Sequence, residues 1–116
     1  MAGSQMQEPT FLILSALAEG DKHGYALIED VAALSRGAVR LRPGTLYTAL
    51  DRLARTGFVM PLADVVVNGR TRRHYSLTNE GAAHLADEAA RLEANAAAAR
   101  SMLRRRRSIT PAGGLT

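Results

Sequence analysis

The sequence predicts a mainly α-helical domain with a small β-hairpin, arranged as a winged helix-turn-helix and followed by a long C-terminal helix. Three helical segments come first along the chain, and a glycine follows each of them (Gly20, Gly37 and Gly57). Helical periodicity then stops, and β-branched residues surround the turn signal Asn68-Gly69. A last segment returns to helical periodicity up to about Arg105. Three helices and a two-stranded wing are the elements of a winged helix-turn-helix.

The same patterns divide the chain into four segments. We expect a flexible N-terminus over residues 1–8 and the winged helix-turn-helix over residues 9–78. A C-terminal dimerisation helix is predicted over residues 79–107. Residues 108–116 contain proline and glycine and are predicted to be a disordered tail.

The first predicted helix opens at Pro9 and closes at Gly20. Apolar side chains surround it, namely Phe11, Leu12, Ile13, Leu14, Ala16, Leu17 and Ala18. A helix that is apolar all round must be buried all round. In so small a domain one face meets the domain's own core. The other face therefore predicts a partner chain, with Phe11 and Leu14 as candidate contacts.

The next two helices are amphipathic. The second runs from about Gly24 to Leu34 and buries the face that carries Leu27, Ile28, Val31 and Leu34. The third spans residues 43–56, where Pro43 opens it and Leu46, Leu50 and Leu53 form its apolar stripe. The side chains outside that stripe are Thr45, Thr48, Arg52 and Arg55, which give this helix a basic, hydroxyl-bearing outer surface.

The hairpin and the long helix complete the pattern. Strands are predicted over residues 58–67 and 72–77, and Thr78 is the predicted N-cap of the last helix. Apolar residues there recur at alternating steps of three and four, at Ala82, Leu85, Ala89, Leu92, Ala96, Ala99 and Leu103. This heptad seam predicts helix–helix pairing. Within it, the candidate dimer contacts are Leu85, Ala89, Leu92, Ala96, Ala99 and Leu103.

Positive charge is concentrated in the middle of the chain. Residues 36–75 hold eight Arg and two acids, Asp51 and Asp64, a net charge of +6 where the whole chain carries +4. Basic charge gathered on one local unit is typical of a surface that binds phosphate. The sequence therefore predicts double-stranded DNA as a partner, contacted by helix 43–56 in the major groove and by a wing over residues 68–73.

Ten residues are the candidate DNA contacts, and these are Tyr25, Arg42, Gly44, Thr45, Tyr47, Thr48, Arg52, Arg70, Arg72 and Arg73. Free N–H groups near Gly44, at a helix start, suit a phosphate. Thr can meet a thymine methyl and Arg can bridge guanine O6 and N7, so Thr45, Thr48 and Arg52 are the candidates for base edges. The three wing arginines suit the DNA backbone or the minor groove.

Some of these residues have a second interpretation. Tyr25 and Tyr47 are either phosphate contacts through their hydroxyls or half-buried packing aromatics. Arg104 to Arg107 suit the dipole at a helix C-terminus and solubility, and DNA contact is the alternative.

Several classes of function find no support in the sequence. There is no Cys, and His74 and His84 lack neighbours at ligand spacing, so we predict no metal site and no cofactor. No nucleophile elbow or nucleotide-binding loop is present, so we predict no catalytic residues and no enzyme. The longest apolar run, residues 11–18, is too short for a bilayer. We expect a cytoplasmic protein without membrane contact.

The motifs also resemble the PadR-type family of bacterial transcriptional regulators over about residues 10–85. The resemblance rests on His23-Gly24-Tyr25, Pro43-Gly44-Thr45-Leu46-Tyr47, Leu50 with Leu53, Gly57, Gly69-Arg70-Thr71-Arg72-Arg73 and Tyr75-Ser76-Leu77-Thr78-Asn79-Glu80-Gly81. It implies a homodimeric winged-helix regulator that binds a palindromic operator and usually represses a neighbouring gene. It also implies dimerisation through the C-terminal helix packed on the partner's first helix, as in the short branch of the family.

Two alternatives stay open at this point. The first is a regulator gated by a small apolar effector at the dimer seam, where Ala89, Ala96 and Ala99 leave room. The resemblance implies aromatic side chains around such ligands, whereas this chain has no Trp and no aromatic residue after Tyr75. The second is a protein-interaction adaptor that does not bind DNA. Such an adaptor would not need so concentrated a basic surface.

Overall fold

The structure is a computed structural model, and it describes residues 6–109, with side chains as far as residue 107. Along the chain lie α1 (Glu8–Glu19), β1 (Lys22–His23), α2 (Gly24–Leu34), α3 (Pro43–Thr56), β2 (Val59–Pro61), β3 (Val65–Val67), β4 (Arg70–Arg72), β5 (His74–Leu77) and α4 (Asn79–Ile109). The predicted fold class, mainly α with a small hairpin and a long C-terminal helix, is confirmed. Residues 1–5 and 110–116, which hold most of the predicted flexible ends, lie outside the described residues.

Two boundaries differ from the prediction. α1 begins at Glu8, inside the segment expected to be flexible. α4 continues to Ile109, two residues into the predicted tail, because nothing between Arg104 and Ile109 breaks a helix.

The β structure differs from the single hairpin that the sequence predicted. β5 lies between β1 and β2 in a three-stranded antiparallel sheet, while β3 and β4 form a separate two-stranded sheet. The sequence prediction missed β1, since a two-residue strand has no periodicity of its own. We call β3, β4 and the turn between them, residues 65–72, the wing hairpin. Asn68 and Gly69 make its turn with positive φ of 52° and 77°, as a tight two-residue hairpin requires.

The core lies between α1, α2, α3 and the three-stranded sheet. Its buried side chains are Ile13, Leu14, Ala16, Leu17, Leu27, Val31, Leu46, Ala49, Leu50, Leu53, Val59 and Tyr75. Leu14 is fully buried within this core, so the expectation that it contacts a partner chain is wrong. Phe11, the other candidate on α1, stays partly exposed.

α4 is fixed to the domain at its N-terminus. Thr78 Oγ1 accepts a hydrogen bond from the Gly81 N–H (3.0 Å) and donates one to the Gly57 carbonyl (2.6 Å), so the predicted N-cap also ties α4 to the end of α3. Glu88 is 3% exposed and pairs with Arg91, which lowers the pKa of the Glu88 carboxyl. The Met6 N–H also donates to this carboxylate, which joins the start of α1 to α4.

The rest of α4 extends away from the domain. Leu92 and Leu103 are exposed on the predicted seam, Ala99 is also exposed, and Ala89 and Ala96 are partly covered. Leu85 packs against the core. No helix in the described part of the chain is both long and apolar enough to span a membrane.

Candidate nucleic-acid interface

α3 is anchored on one side and open on the other. Its four buried residues are Leu46, Ala49, Leu50 and Leu53. Thr45, Thr48 and Arg52 lie three and four residues apart on the opposite side, and all three are exposed. The apolar stripe therefore fixes which side chains point outward. They supply two hydroxyls and one guanidinium, the groups that read base edges.

The start of α3 is open to an incoming anion. Arg42 occupies the N-cap position, but its side chain makes no capping hydrogen bond, so the first N–H groups are not satisfied by a side-chain cap. Gly44 is exposed, and a Cβ placed there would meet no atom within 4 Å. A phosphate can therefore approach the backbone closely at this helix end.

The outer side of α3 borders the start of α1. Thr45, Thr48 and Arg52 line a groove of about 610 Å³ together with Gln7 and Thr10. The sequence analysis did not connect α1 with this surface. No sequence pattern indicates the contact, because it arises from how the two helices pack.

Tyr47 packs across the start of α2. A Cβ on Gly24 would lie 2.7 Å from Tyr47 Cζ, so a glycine is required where the tyrosine ring crosses. Tyr47 is 38% exposed. This placement matches the packing interpretation of Tyr47 and still leaves one edge of the ring at the surface.

The three wing arginines have different surroundings. Arg70 is exposed near the turn. Arg72 places its guanidinium carbon 5.1 Å from the centre of the Tyr25 ring, and its Nε is buried without a hydrogen-bond partner in the described residues. Arg73 Nε lies 3.9 Å from Asp64 Oδ1.

The contact between Arg73 and Asp64 corrects the sequence analysis, which had treated the wing arginines as free of acidic neighbours. Val65 is paired with Arg72 in the hairpin register. One step further from the turn, the same register brings residue 64 opposite residue 73. The Asn68-Gly69 turn therefore carried this signal.

Two histidines join the wing region to α2. Their rings meet edge to face with centroids 5.5 Å apart, in the antiparallel pairing of His23 with His74. His23 Nδ1 accepts a hydrogen bond from the Ala26 N–H (3.3 Å) and so caps α2. Burial, together with the nearby His74 and Arg72, lowers the pKa of His23 below its ordinary value. His74 Nδ1 donates to the Arg72 carbonyl (3.3 Å).

Other chemistry finds no site in the described residues. His84 packs against Phe58 with ring centroids 4.4 Å apart. Within residues 6–109, no three His, Cys, Asp or Glu side chains come together in a way that could hold a metal ion.

The order of helices, the two-stranded wing hairpin and the outward side of α3 define a winged helix-turn-helix protein. The sequence profile of the transcriptional regulator PadR-like family matches residues 13–87. The chain therefore belongs to this family of transcriptional regulators.

Individual relatives agree with this assignment. Transcriptional regulator Rv3488 of Mycobacterium tuberculosis is 40% identical over 81 residues, which cover 70% of this chain and 72% of that protein. A PadR family transcription regulator from Clostridium difficile aligns with a TM-score of 0.71 at 26% identity, over 84% of this chain and 99% of that one. Bacillus subtilis PadR, solved in complex with operator DNA, aligns with a TM-score of 0.62 at 22% identity, over 72% of this chain and 47% of that one.

Proposed function

We propose that the protein is a homodimeric DNA-binding repressor that recognises a palindromic operator. In each protomer α3 enters the major groove, and the wing hairpin lies along the adjacent backbone or minor groove. The two half-sites are expected about 34 Å apart, which is one turn of DNA. The observation that carries the proposal is the outward row of Thr45, Thr48 and Arg52 on a helix whose opposite side is buried.

The start of α3 supports the same orientation. The open backbone at Gly44 and the exposed Arg42 are suited to phosphate oxygens. Arg70 supplies a further exposed cation on the wing hairpin. That Bacillus subtilis PadR was solved with operator DNA adds support, since the two chains share this fold.

The dimer is proposed to form through α4 and α1. α4 has 31 residues and is therefore about 46 Å long, at 1.5 Å per residue. Leu92, Met102 and Leu103 are exposed along it, and Phe11 of α1 is partly exposed beside Ala89 and Ala96. Exposed apolar residues in a heptad seam are stabilised when a second helix covers them.

Selection of bound sites from random DNA tests the proposal directly. The expected outcome is a palindrome whose halves are one turn apart, and the measured mass of the complex should contain two chains per site. Failure to retain any DNA at moderate salt would contradict the proposal and favour the adaptor alternative.

Paired variants then test the two elements separately. Arg52→Ala should cost about 1–3 kcal/mol of discrimination between the selected site and random DNA, because a base contact is lost. Arg70→Ala should weaken binding to both DNAs and lower the salt slope by about 0.9 for each phosphate contact removed. If Arg52→Ala weakens both DNAs equally, Arg52 contacts the backbone instead.

An effector is a second candidate partner, supported by a cavity of about 320 Å³ beside the α1–α4 contact. Phe11, Leu12 and Leu92 line it together with Glu8 and Glu88. Apolar walls with carboxylates favour an apolar cation over a phenolic acid. A thermal-shift screen with both classes checks this, because a bound ligand raises the Tm by mass action.

A further inference from the structure

Arg72 differs from the other wing cations in what it touches. Its guanidinium covers the ring of Tyr25, in the first turn of α2, at a distance typical of a cation–π contact. Tyr25 is 55% exposed, so this contact lies at the surface and outside the core. Arg70, two residues earlier on the same strand, points to the same side of the hairpin but is exposed.

The wing hairpin has little else to hold its angle. In the described part of the chain, β3 and β4 pair with each other and with no other strand. Val65 and Val66 are exposed, so the hairpin brings few apolar side chains to the body of the domain. A contact that links the hairpin to α2 therefore has a large influence on where the hairpin lies.

A second contact joins the same two parts of the molecule. His74, which follows Arg72 by two residues, donates to the Arg72 carbonyl and meets the ring of His23. His23 in turn caps α2 through the Ala26 N–H. The Arg72 backbone is thus fixed from the β5 side, while its side chain reaches Tyr25 on α2.

We infer that Arg72 and Tyr25 are a positioning pair, which fixes the wing hairpin against α2 so that Arg70 meets the DNA backbone at a set distance from α3. This rests on the proposed function for its purpose, although the contact itself does not. Arg72 and Tyr25 are then not phosphate contacts. The buried Nε of Arg72 agrees with this role, because that atom faces the protein.

The test compares two substitutions of one residue. Tyr25→Phe keeps the ring face and should leave DNA affinity unchanged, whereas Tyr25→Leu removes it without changing any charge. Tyr25→Leu should weaken binding to operator and random DNA by about threefold to tenfold, the range expected from a surface cation–π contact. Its salt slope should stay at the wild-type value, because no phosphate contact is lost. A loss of affinity in Tyr25→Phe would mean that the hydroxyl contacts phosphate and would overturn the proposal.

A double-mutant cycle identifies the pair. Arg72→Gln should lower affinity in the wild-type background but cost little more in the Tyr25→Leu background, since the contact is already absent. Additive losses, with a salt slope that drops by about 0.9 in Arg72→Gln, would make Arg72 a direct phosphate contact instead.

A measurement without DNA separates this proposal from the proposed function. Amide exchange and relaxation of residues 65–72 should indicate a more mobile wing hairpin in Tyr25→Leu than in Tyr25→Phe, at equal Tm. Unchanged mobility would overturn the positioning role even if the protein binds DNA. Greater mobility in a protein that never binds DNA would support the contact and reject the proposed function.

Discussion

α3 and the wing hairpin both present Arg side chains, but the molecule holds them in different ways. α3 buries Leu46, Leu50 and Leu53 in the core, so its outward side chains have one fixed direction. The wing hairpin leaves Val66 69% exposed and is joined to α2 by surface contacts. Reading base edges needs fixed geometry, whereas following a flexible backbone tolerates adjustment. The difference in anchoring therefore matches the difference in proposed tasks.

The largest expected effect comes from the anchor of α3. Leu50→Ala removes a fully buried side chain and should lower the free energy of unfolding by about 3 kcal/mol, through lost burial and the cavity left behind. Val66→Ala on the wing hairpin should change it by less than about 0.5 kcal/mol. Chemical denaturation of both variants measures the contrast. Similar losses would mean that the wing hairpin is part of the cooperative core.

This contrast also explains which features the sequence predicted. The outward direction of Thr48 and Arg52 followed from the spacing of Leu46, Leu50 and Leu53, because helical periodicity is local. Leu14 was assigned to a partner chain because a helix that is apolar on every side gives no indication of which side faces the core. The turn at Asn68-Gly69 was correctly predicted from its residues alone.

Other features depend on packing and were not predictable. β1 exists only because β5 lies beside it, and the groove between α1 and α3 joins residues far apart in the chain. Arg72 on Tyr25 required the angle of the wing hairpin, which no spacing in the sequence gives. The Asp64–Arg73 contact was predictable from the hairpin register.

The next effect tests the seat of α3 on α2. Gly24→Ala places a methyl group against the Tyr47 ring and should cost about 1–2 kcal/mol, since the ring must move. In a Tyr47→Leu background the same change should cost much less, because the obstacle is gone. Thermal or chemical denaturation of the four proteins measures the coupling. An equal cost in both backgrounds would show that Tyr47 is not what excludes a side chain at Gly24.

A smaller effect is expected in the turn of the wing hairpin. Gly69→Ala forces a Cβ onto a backbone with φ of 77° and should strain the turn by about 1 kcal/mol. The strain should appear as amide exchange roughly fivefold faster in residues 65–72, with little change in the unfolding midpoint, because the hairpin opens locally. Gly20→Ala is the control, since Gly20 has an extended φ of 162° and nothing within 4 Å of a Cβ. A lower midpoint in Gly69→Ala alone would contradict local opening.

The smallest effect lies where the two regions meet, at His23. Burial and the neighbouring His74 and Arg72 lower the pKa of His23, while Glu29 opposes this shift. A base with a lowered pKa binds its proton more readily in the unfolded chain, so the free energy of unfolding should be constant above about pH 7 and fall as the pH drops below about 6.5. Denaturation curves between pH 7.5 and pH 5.5 measure the slope, and this window lies above the titration of ordinary carboxyls. His23→Asn keeps a capping oxygen for the Ala26 N–H but cannot titrate, so its slope should be shallower. If the slope of His23→Asn equals that of the wild type, the protons are taken up elsewhere, and the contact between α2 and the wing region is insensitive to pH in this range.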